Sequence, residues 1–114
     1  MHEIVSFTKD IEFKTMINKI TSISLEHTLM LSGSDSIKGD FIVSGTYKMT
    51  AASQLENDFS YKIPVDIVMD DKYDLTNLVI DIDDFTYEVV DEEILRVNID
   101  LLLDKLELKK VEEV

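Results

Sequence analysis

Five aspartates in the second half of the chain carry the oxygen ligands that a hard cation such as Ca²⁺ prefers. Three fall in one polar segment and two alternate along a predicted strand; they are Asp70, Asp71, Asp74, Asp81 and Asp83. The Asp81–Thr86 segment lacks the glycine that an EF-hand loop needs at its sharp turn. A solvated acidic face is therefore the favoured interpretation, and these five residues are the candidates if calcium binds.

Other groups that support catalysis are scarce. The chain has no cysteine and no tryptophan, three glycines, and two histidines, His2 and His27, without companions at metal-ligand spacing. No serine lies in a nucleophile-elbow motif, and no glycine-rich loop could cradle a phosphate. The sequence predicts a protein that is not an enzyme and needs no cofactor.

Alternation of apolar and polar residues with a period of two dominates the chain, which is typical of β-strands with one buried face. The clearest runs are Phe59, Tyr61, Ile63, Val65, Ile67, Met69 and Leu95, Val97, Ile99, Leu101, Leu103. Weaker runs cover 23–31, 41–49 and 78–89. We expect an all-β, single-domain fold over residues 1–114. Its architecture should be an antiparallel β-sandwich or small open barrel of six to eight strands, and residues 104–114 are a candidate peripheral tail.

Turn and bulge signals fall between and within these runs. The segment Ser32–Asp35 predicts a hairpin connection, and Asp70–Asp74 predicts a polar loop. The change of phase at Asp83–Asp84 indicates a bulge or bend. Pro64 cannot donate to a ladder, which predicts an edge strand or a bulge at that position.

Two glycines and two segments carry further local expectations. Gly39 and Gly45 lie inside strand-like runs, where glycine marks a bulge or a corner. A short helical turn is expected only in Lys14–Ile20 and in the tail from Asp104.

The charge is concentrated in one half of the chain. Residues 1–50 contain six acidic and five basic residues, whereas 51–114 contain eighteen and six, within a net charge of −13. A surface this acidic repels nucleic acid and anionic lipid. No apolar run is long enough to span a bilayer, so the sequence predicts a cytoplasmic protein without membrane insertion.

Protein partners remain as the expected ligands. Tyr73, in the acidic loop, and Leu106 and Leu108, in the tail, are the candidate partner-binding residues. Aromatic residues inside the alternating runs are better core candidates, although they could also anchor an interface; they are Tyr47, Phe59, Tyr61, Phe85 and Tyr87.

A succession of short segments, in order along nearly the whole chain, resembles the N-terminal domain of the stage VI sporulation protein D (SpoVID-like) family of spore coat morphogenetic proteins. The segments are Phe7–Phe13, Ser22–Glu26, Ile37–Gly39, Val43–Tyr47, Ile63–Ile67, Ile82–Tyr87 and Leu95–Leu101. The resemblance implies a scaffold that helps coat proteins encase the developing spore, in the mother-cell cytoplasm at the forespore surface. It supplies no catalytic residues.

The sequence thus predicts a non-catalytic module for protein–protein assembly, whose partners are other proteins, spore coat components or further copies of itself. Two alternatives stay open. One is a calcium- or carbohydrate-binding acidic β domain, and the other is a structural subunit of a phage-like particle.

Overall fold

A computed structural model describes residues 1–109, and in this part of the chain every regular element is a β-strand. The strands are β1 (Glu3–Glu12), β2 (Lys19–His27), β3 (Met30–Ser32), β4 (Ser36–Lys48), β5 (Asn57–Val68), β6 (Tyr73–Asp74), β7 (Val79–Val90), β8 (Ile94–Asp104) and β9 (Glu107–Leu108). All pairings are antiparallel. The all-β, antiparallel prediction is confirmed.

The first sheet has the order β1–β8–β7, with β8 in the centre. Burial along β8 alternates without a break, because each odd-numbered side chain enters the core while its even-numbered neighbours face outward. Five inward side chains are almost completely inaccessible to solvent: Leu95, Val97, Ile99, Leu101 and Leu103. This is the alternation that the sequence shows most clearly.

The second sheet is built around β4, the longest strand of the described chain. Along one side of β4, β2 pairs with 41–48 and β3 with 36–38, whereas β5 covers the other side from Ser36 to Tyr47. The β3–β4 hairpin turns through the segment predicted for it, with Ser32 paired to Ser36. Gly33 takes the positive φ of 72° that this turn requires.

The two sheets pack face to face, and their inward side chains form one core cluster. Phe7 of β1 and Phe41 of β4 meet across the interface edge to face, with ring centroids 5.3 Å apart. On one flank of the sandwich β2 lies against β7. The other flank is formed by β1 and β5, the remaining edge strands of the two sheets.

The bulge predicted in β7 is present, and the two glycines inside β4 allow close contacts between backbones. The β7–β8 register shifts between Ile82 and Asp84, which confirms the bulge at Asp83–Asp84. Gly39 has a φ of 149°, and a Cβ there would lie 2.6 Å from the carbonyl oxygen of Thr28. A Cβ at Gly45 would overlap the Ser22 carbonyl oxygen, beside the β2–β4 register shift.

Pro64 lies on β5, which is an edge strand as the sequence predicts. Its cross-strand neighbour Asp40 directs both backbone groups away from β5, because its amide and carbonyl both bond with Thr28. Pro64 therefore occupies a non-hydrogen-bonded pair, and its ring nitrogen faces the free edge.

The prediction of helical turns is wrong for Lys14–Ile20 and for residues 105–109 of the tail; residues 110–114 lie outside the described part. Residues 13–18 instead form an irregular strap, with bends at Lys14, Thr15 and Asn18, that crosses one end of the sandwich. The amides of Phe13 and Ile17 donate to the carbonyls of Glu93 and Glu92 in the β7–β8 hairpin (2.9 and 2.7 Å), and the strap ends with Asn18 N donating to Lys48 O on β4 (2.8 Å). Tertiary hydrogen bonds thus replace those that a helical turn would have made.

Strand β1 was not among the runs that the sequence identified. Its inward positions are Val5, Phe7, Lys9 and Ile11, so a charged residue interrupts the apolar alternation. It nevertheless pairs with β8 over ten consecutive residues, from Glu3 opposite Leu103 to Glu12 opposite Ile94. The strand conformation of β1 is therefore determined by its pairing with the buried central strand β8, which is far away in the sequence.

Gly45→Ala should destabilise the protein by about 3 kcal/mol, because the new methyl group would meet the backbone of β2, which cannot move without breaking the ladder. Chemical denaturation measures this directly. Gly33→Ala is the control: open space surrounds that position, and the positive φ alone should cost about 1 kcal/mol. Equal losses in the two variants would contradict the close-contact interpretation of Gly45.

Glu92→Gly should stabilise the protein by about 0.5–1 kcal/mol, because Asp91 and Glu92 adopt left-handed conformations, with φ of 52° and 58°, which glycine adopts without strain. The unfolding midpoint in denaturant checks the sign. Glu93→Gly is the control, because Glu93 is the next residue in the same hairpin and has no positive φ, and this change should destabilise the protein. Stabilisation by both changes would show that the loss of a negative charge, and not the backbone conformation, is the cause.

Candidate interaction surfaces

The aspartates of the predicted polar loop mainly organise their own turns. The Asp70 carboxylate accepts a hydrogen bond from Lys72 N (3.0 Å), and Asp74 accepts from both the amide (3.0 Å) and the hydroxyl (2.5 Å) of Thr76. These bonds to the ionised form hold the pKa of Asp70 and of Asp74 below the ordinary value. The two carboxylates act as turn-forming acceptors.

The other calcium candidates lie elsewhere in the fold. Asp81 is on β7, where its carboxylate accepts from the amide of Ile82 (2.8 Å), and Asp83 occupies the bulge of the same strand. Within residues 1–109, no three carboxylate or imidazole side chains are grouped as a metal would require. The structure does not bring the five aspartates together.

His27 also has a local role. It is half-buried on β2, and its Nδ1 accepts a hydrogen bond from Leu29 N at 3.2 Å. This bond supports the corner where the chain passes from β2 to β3. The arrangement is that of a packed histidine and not of a catalytic base.

Two of the three predicted partner-binding residues are buried, which corrects their assignment. Tyr73 is 8% exposed: it pairs with Leu108 as part of the β6–β9 ladder, and its hydroxyl donates to Glu3 at 3.0 Å. Donation to a carboxylate raises the pKa of Tyr73. Leu106 is 2% exposed because it packs into its own core, whereas Leu108 is 55% exposed and is accessible to a partner.

The sequence identified this end of the chain as a loop and a tail because a two-residue strand carries no periodic signal. The pairing of β6 with β9 holds the tail against the loop, and Lys109 N donates to Lys72 O at 2.8 Å. The remainder of the predicted tail, 110–114, lies outside the described residues.

Four aromatic rings surround an open depression of about 380 Å³ next to the strap. Phe13 lies in the centre of the group, with its ring centroid 5.0 Å from Tyr47, 5.4 Å from Phe59 and 5.3 Å from Tyr61. The Tyr47 hydroxyl hydrogen-bonds with the Thr15 hydroxyl at 2.6 Å, which secures the strap over β4. Phe13, Tyr47 and Phe59 are core residues, as expected of aromatics in alternating runs.

Tyr61 is the member of this group that reaches the surface. It is half-buried on edge strand β5, and burial raises the pKa of its hydroxyl, with the neighbouring Tyr47 adding to the shift. Exposed Glu12 and Asp58 form part of the rim. The depression thus offers an aromatic surface with carboxylates beside it, but its floor is sealed by the core.

On the first sheet, the predicted anchors Phe85 and Tyr87 are less deeply placed than expected of core residues. Phe85 is half-buried and Tyr87 is 44% exposed, both on edge strand β7. Their ring centroids are 6.4 Å apart. Tyr87 is therefore accessible to a partner, and Phe85 is partly covered by its own domain.

The outer face of the first sheet carries a charged row across all three strands. Arg96 on β8 makes a bidentate contact with Asp10 on β1 (2.8 and 3.1 Å), while its third nitrogen lies 3.5 Å from Glu88 on β7. The contact with Arg96 holds the pKa of Asp10 below its ordinary value. This row helps to fix β1 in register on β8.

Three of the four sheet edges carry features that impede strand addition. The β5 edge presents Pro64, which has no amide hydrogen. The β2–β3 edge is interrupted at Thr28–Leu29, contains the bulge near Thr21 and lies against β7. The β7 edge contains its own bulge and four acidic residues without a basic one.

The fourth edge, that of β1, has no proline, bulge or break, and its one inward-facing charge is Lys9. Its register against β8 runs without a shift, and it contains neither proline nor glycine. Among residues 1–109, no strand pairs with its outer side. The apolar alternation did not reveal this surface because it did not reveal the strand; the absence of Pro and Gly over residues 1–32 was the available signal.

Comparison with family models, with curated proteins and with solved structures finds no match to this chain. The resemblance to spore coat morphogenetic proteins therefore stays a prediction. Within residues 1–109 there is no helix that is long and apolar enough to cross a membrane.

Asp74→Asn should make the melting temperature less sensitive to low pH. The folded-state pKa of Asp74 is lowered from 3.8, so its stabilising contribution is complete above the unfolded-state value and is lost as the pH falls through the folded-state value. Asparagine keeps an acceptor oxygen and does not titrate. Between pH 5 and pH 2 (about one unit above to two units below the ordinary value), the variant's melting temperature should therefore fall less than that of the wild type.

Thermal unfolding by circular dichroism across this pH range is the measurement. Asp66→Asn is the matched control, since Asp66 is exposed on β5 and makes no hydrogen bond or ion pair within residues 1–109. If both substitutions reduce the fall in melting temperature between pH 5 and pH 2 equally, then net charge, and not the Asp74 turn, governs the pH dependence of stability.

Proposed function

We propose that this protein is a non-catalytic assembly module that works by binding other protein chains. The observation that carries the proposal is the free edge of β1, ten residues of regular strand without proline, bulge or glycine. A strand edge of this kind presents a row of backbone donors and acceptors that a further strand can satisfy.

Exposed apolar side chains near this edge support the same function. Ile4 on β1 is 44% exposed, and Val5 and Phe7 are half-buried. On the neighbouring β5 edge, Tyr61 borders the aromatic depression. The flank formed by β1 and β5 thus combines unpaired backbone with apolar surface, which is the composition of an interface centre.

A role in a spore-coat-type scaffold is the specific form of this proposal. It is supported by the ordered resemblance of short segments to the SpoVID-like family and by a fold suited to strand-mediated assembly. The proposed partners are coat proteins or further copies of this chain, in the mother-cell cytoplasm at the forespore surface. A structural subunit of a phage-like particle would use the same kind of surface.

The calcium-binding alternative has less support, because Asp70 and Asp74 already accept hydrogen bonds from their own turns. Binding a cation there would require these bonds to be replaced. A carbohydrate would have to use the aromatic depression, where three of the four rings are at most 8% exposed and offer little stacking surface.

Molar mass measured by light scattering over a concentration series tests the proposal. We expect a mass that rises with protein concentration and does not change with millimolar Ca²⁺. A constant monomer whose melting temperature rises with Ca²⁺ but not with Mg²⁺ would instead support the calcium-binding alternative, since a ligand that binds the folded state stabilises it. A constant monomer that responds to neither ion would count against self-assembly.

A further inference from the structure

We propose that two copies of this chain associate through β1, antiparallel about a two-fold axis, so that the first sheets of both copies join into one continuous sheet. Ser6 lies at the axis, opposite the partner's Ser6. This inference rests on the proposed assembly function and specifies its surface, its partner and its register.

The backbone of β1 is oriented for this pairing. Phe13 N donates to Glu93 O across the continuation of the β1–β8 ladder, so the odd-numbered residues of β1 direct their amides and carbonyls toward β8. The even-numbered residues, among them Ile4, Ser6 and Thr8, therefore direct theirs to the free edge. A second β1 placed there can satisfy these groups.

The register follows from the side chains. A continuous sheet keeps core-facing residues opposite core-facing residues, which restricts β1 to pairings between residues of the same parity. With Ser6 at the axis, Val5 lies opposite the partner's Phe7, and Ile4 lies opposite the partner's Thr8. Moving the axis to Phe7 would place Ile4 opposite Asp10, and moving it to Thr8 would place Phe7 opposite Lys9.

Charge complementarity selects the same register. With the axis at Ser6, Glu3 lies opposite the partner's Lys9, and by symmetry Lys9 lies opposite the partner's Glu3. Both pairs are of the non-hydrogen-bonded type, in which side chains approach most closely. His2 would also lie opposite the partner's Asp10. The pairing thus places opposite charges at both ends of an apolar centre.

The uneven charge of the chain favours β1 over β7 for self-association. A β7–β7 pairing would bring together two rows that each contain four carboxylates and no basic residue. Strand β1 has one basic and three acidic residues, and one of these acids, Asp10, is already paired with Arg96. Repulsion between copies is therefore smaller at β1 than at β7. Strands β2 and β5 are less acidic than β1, but β2 contains a bulge and lies against β7, and β5 contains Pro64.

Substitution by proline tests the surface. Ser6→Pro removes an amide hydrogen from the free edge and leaves the β1–β8 ladder bonds in place, so it should raise the dimer dissociation constant about tenfold or more. Ser60→Pro is the matched control: Ser60 lies four residues before Pro64 on the β5 edge, and its amide also faces outward. It should leave the dissociation constant unchanged.

Ser6→Ala completes the set, because Ser6 also donates its hydroxyl to Asp100 at 2.7 Å. Alanine loses that bond and keeps the backbone amide, so dimerisation should persist. Circular dichroism establishes that each variant is folded. Equal weakening by Ser6→Pro and Ser60→Pro, or an unaltered mass with Ser6→Pro, would overturn the β1 interface.

Charge complementation tests the register and does not depend on proline. Lys9→Glu places Glu opposite Glu at both ends, and Glu3→Lys places Lys opposite Lys, so each variant alone should dimerise about tenfold more weakly. An equimolar mixture restores opposite charges in both pairs and should form heterodimers with near wild-type affinity. Native mass spectrometry distinguishes the heterodimer from the two homodimers.

These outcomes separate the interface from the general function. A wild-type mass that rises with concentration, without an effect of Ser6→Pro and without recovery in the mixture, would leave the assembly function standing and reject β1 as its surface. A wild-type chain that stays monomeric at every concentration would reject both.

Discussion

The fold depends on β8 being buried on one face and paired on both sides. Its five inward side chains are excluded from solvent, and its edges hold β1 and β7. Burial of apolar area is the main stabilising contribution in a small domain. Because β8 supplies inward side chains over its whole length, β1 keeps its register where it presents Lys9, and β7 stays paired on both sides of its bulge.

The second sheet and the strap complete the core from the opposite side. Gly45 lets β2 approach β4 more closely than any side chain would allow, and Phe13 carries the strap over the end of the interface. The strap in turn holds the β7–β8 hairpin, whose Asp91 and Glu92 adopt left-handed conformations. Local strain in that hairpin is thus maintained by hydrogen bonds from a distant segment.

The edges of the two sheets differ in a way that has functional meaning. Proline, bulges and rows of carboxylates are established means of preventing strand addition, and β5, β2 and β7 each use one or more of them. Strand β1 has no proline, no bulge and no break in pairing, and its one inward-facing charge is Lys9. An acidic protein can associate with copies of itself when opposite charges meet across the contact, as Glu3 and Lys9 would here, and this contrast among edges is the physical basis of the proposed assembly.

The sequence by itself determined the strand class, the buried alternation of β8, the bulge at Asp83–Asp84 and the edge position of Pro64, because these depend on side-chain period and on backbone chemistry within a few residues. Tertiary structure alone decided that β1 is a strand, that 13–18 is an irregular strap, and that Tyr73 and Leu106 are buried. The pairing of Tyr73 with Leu108 joins segments far apart in sequence, and no local pattern records such a contact. Exposure of a residue is set by what folds against it, which the spacing of its neighbours does not encode.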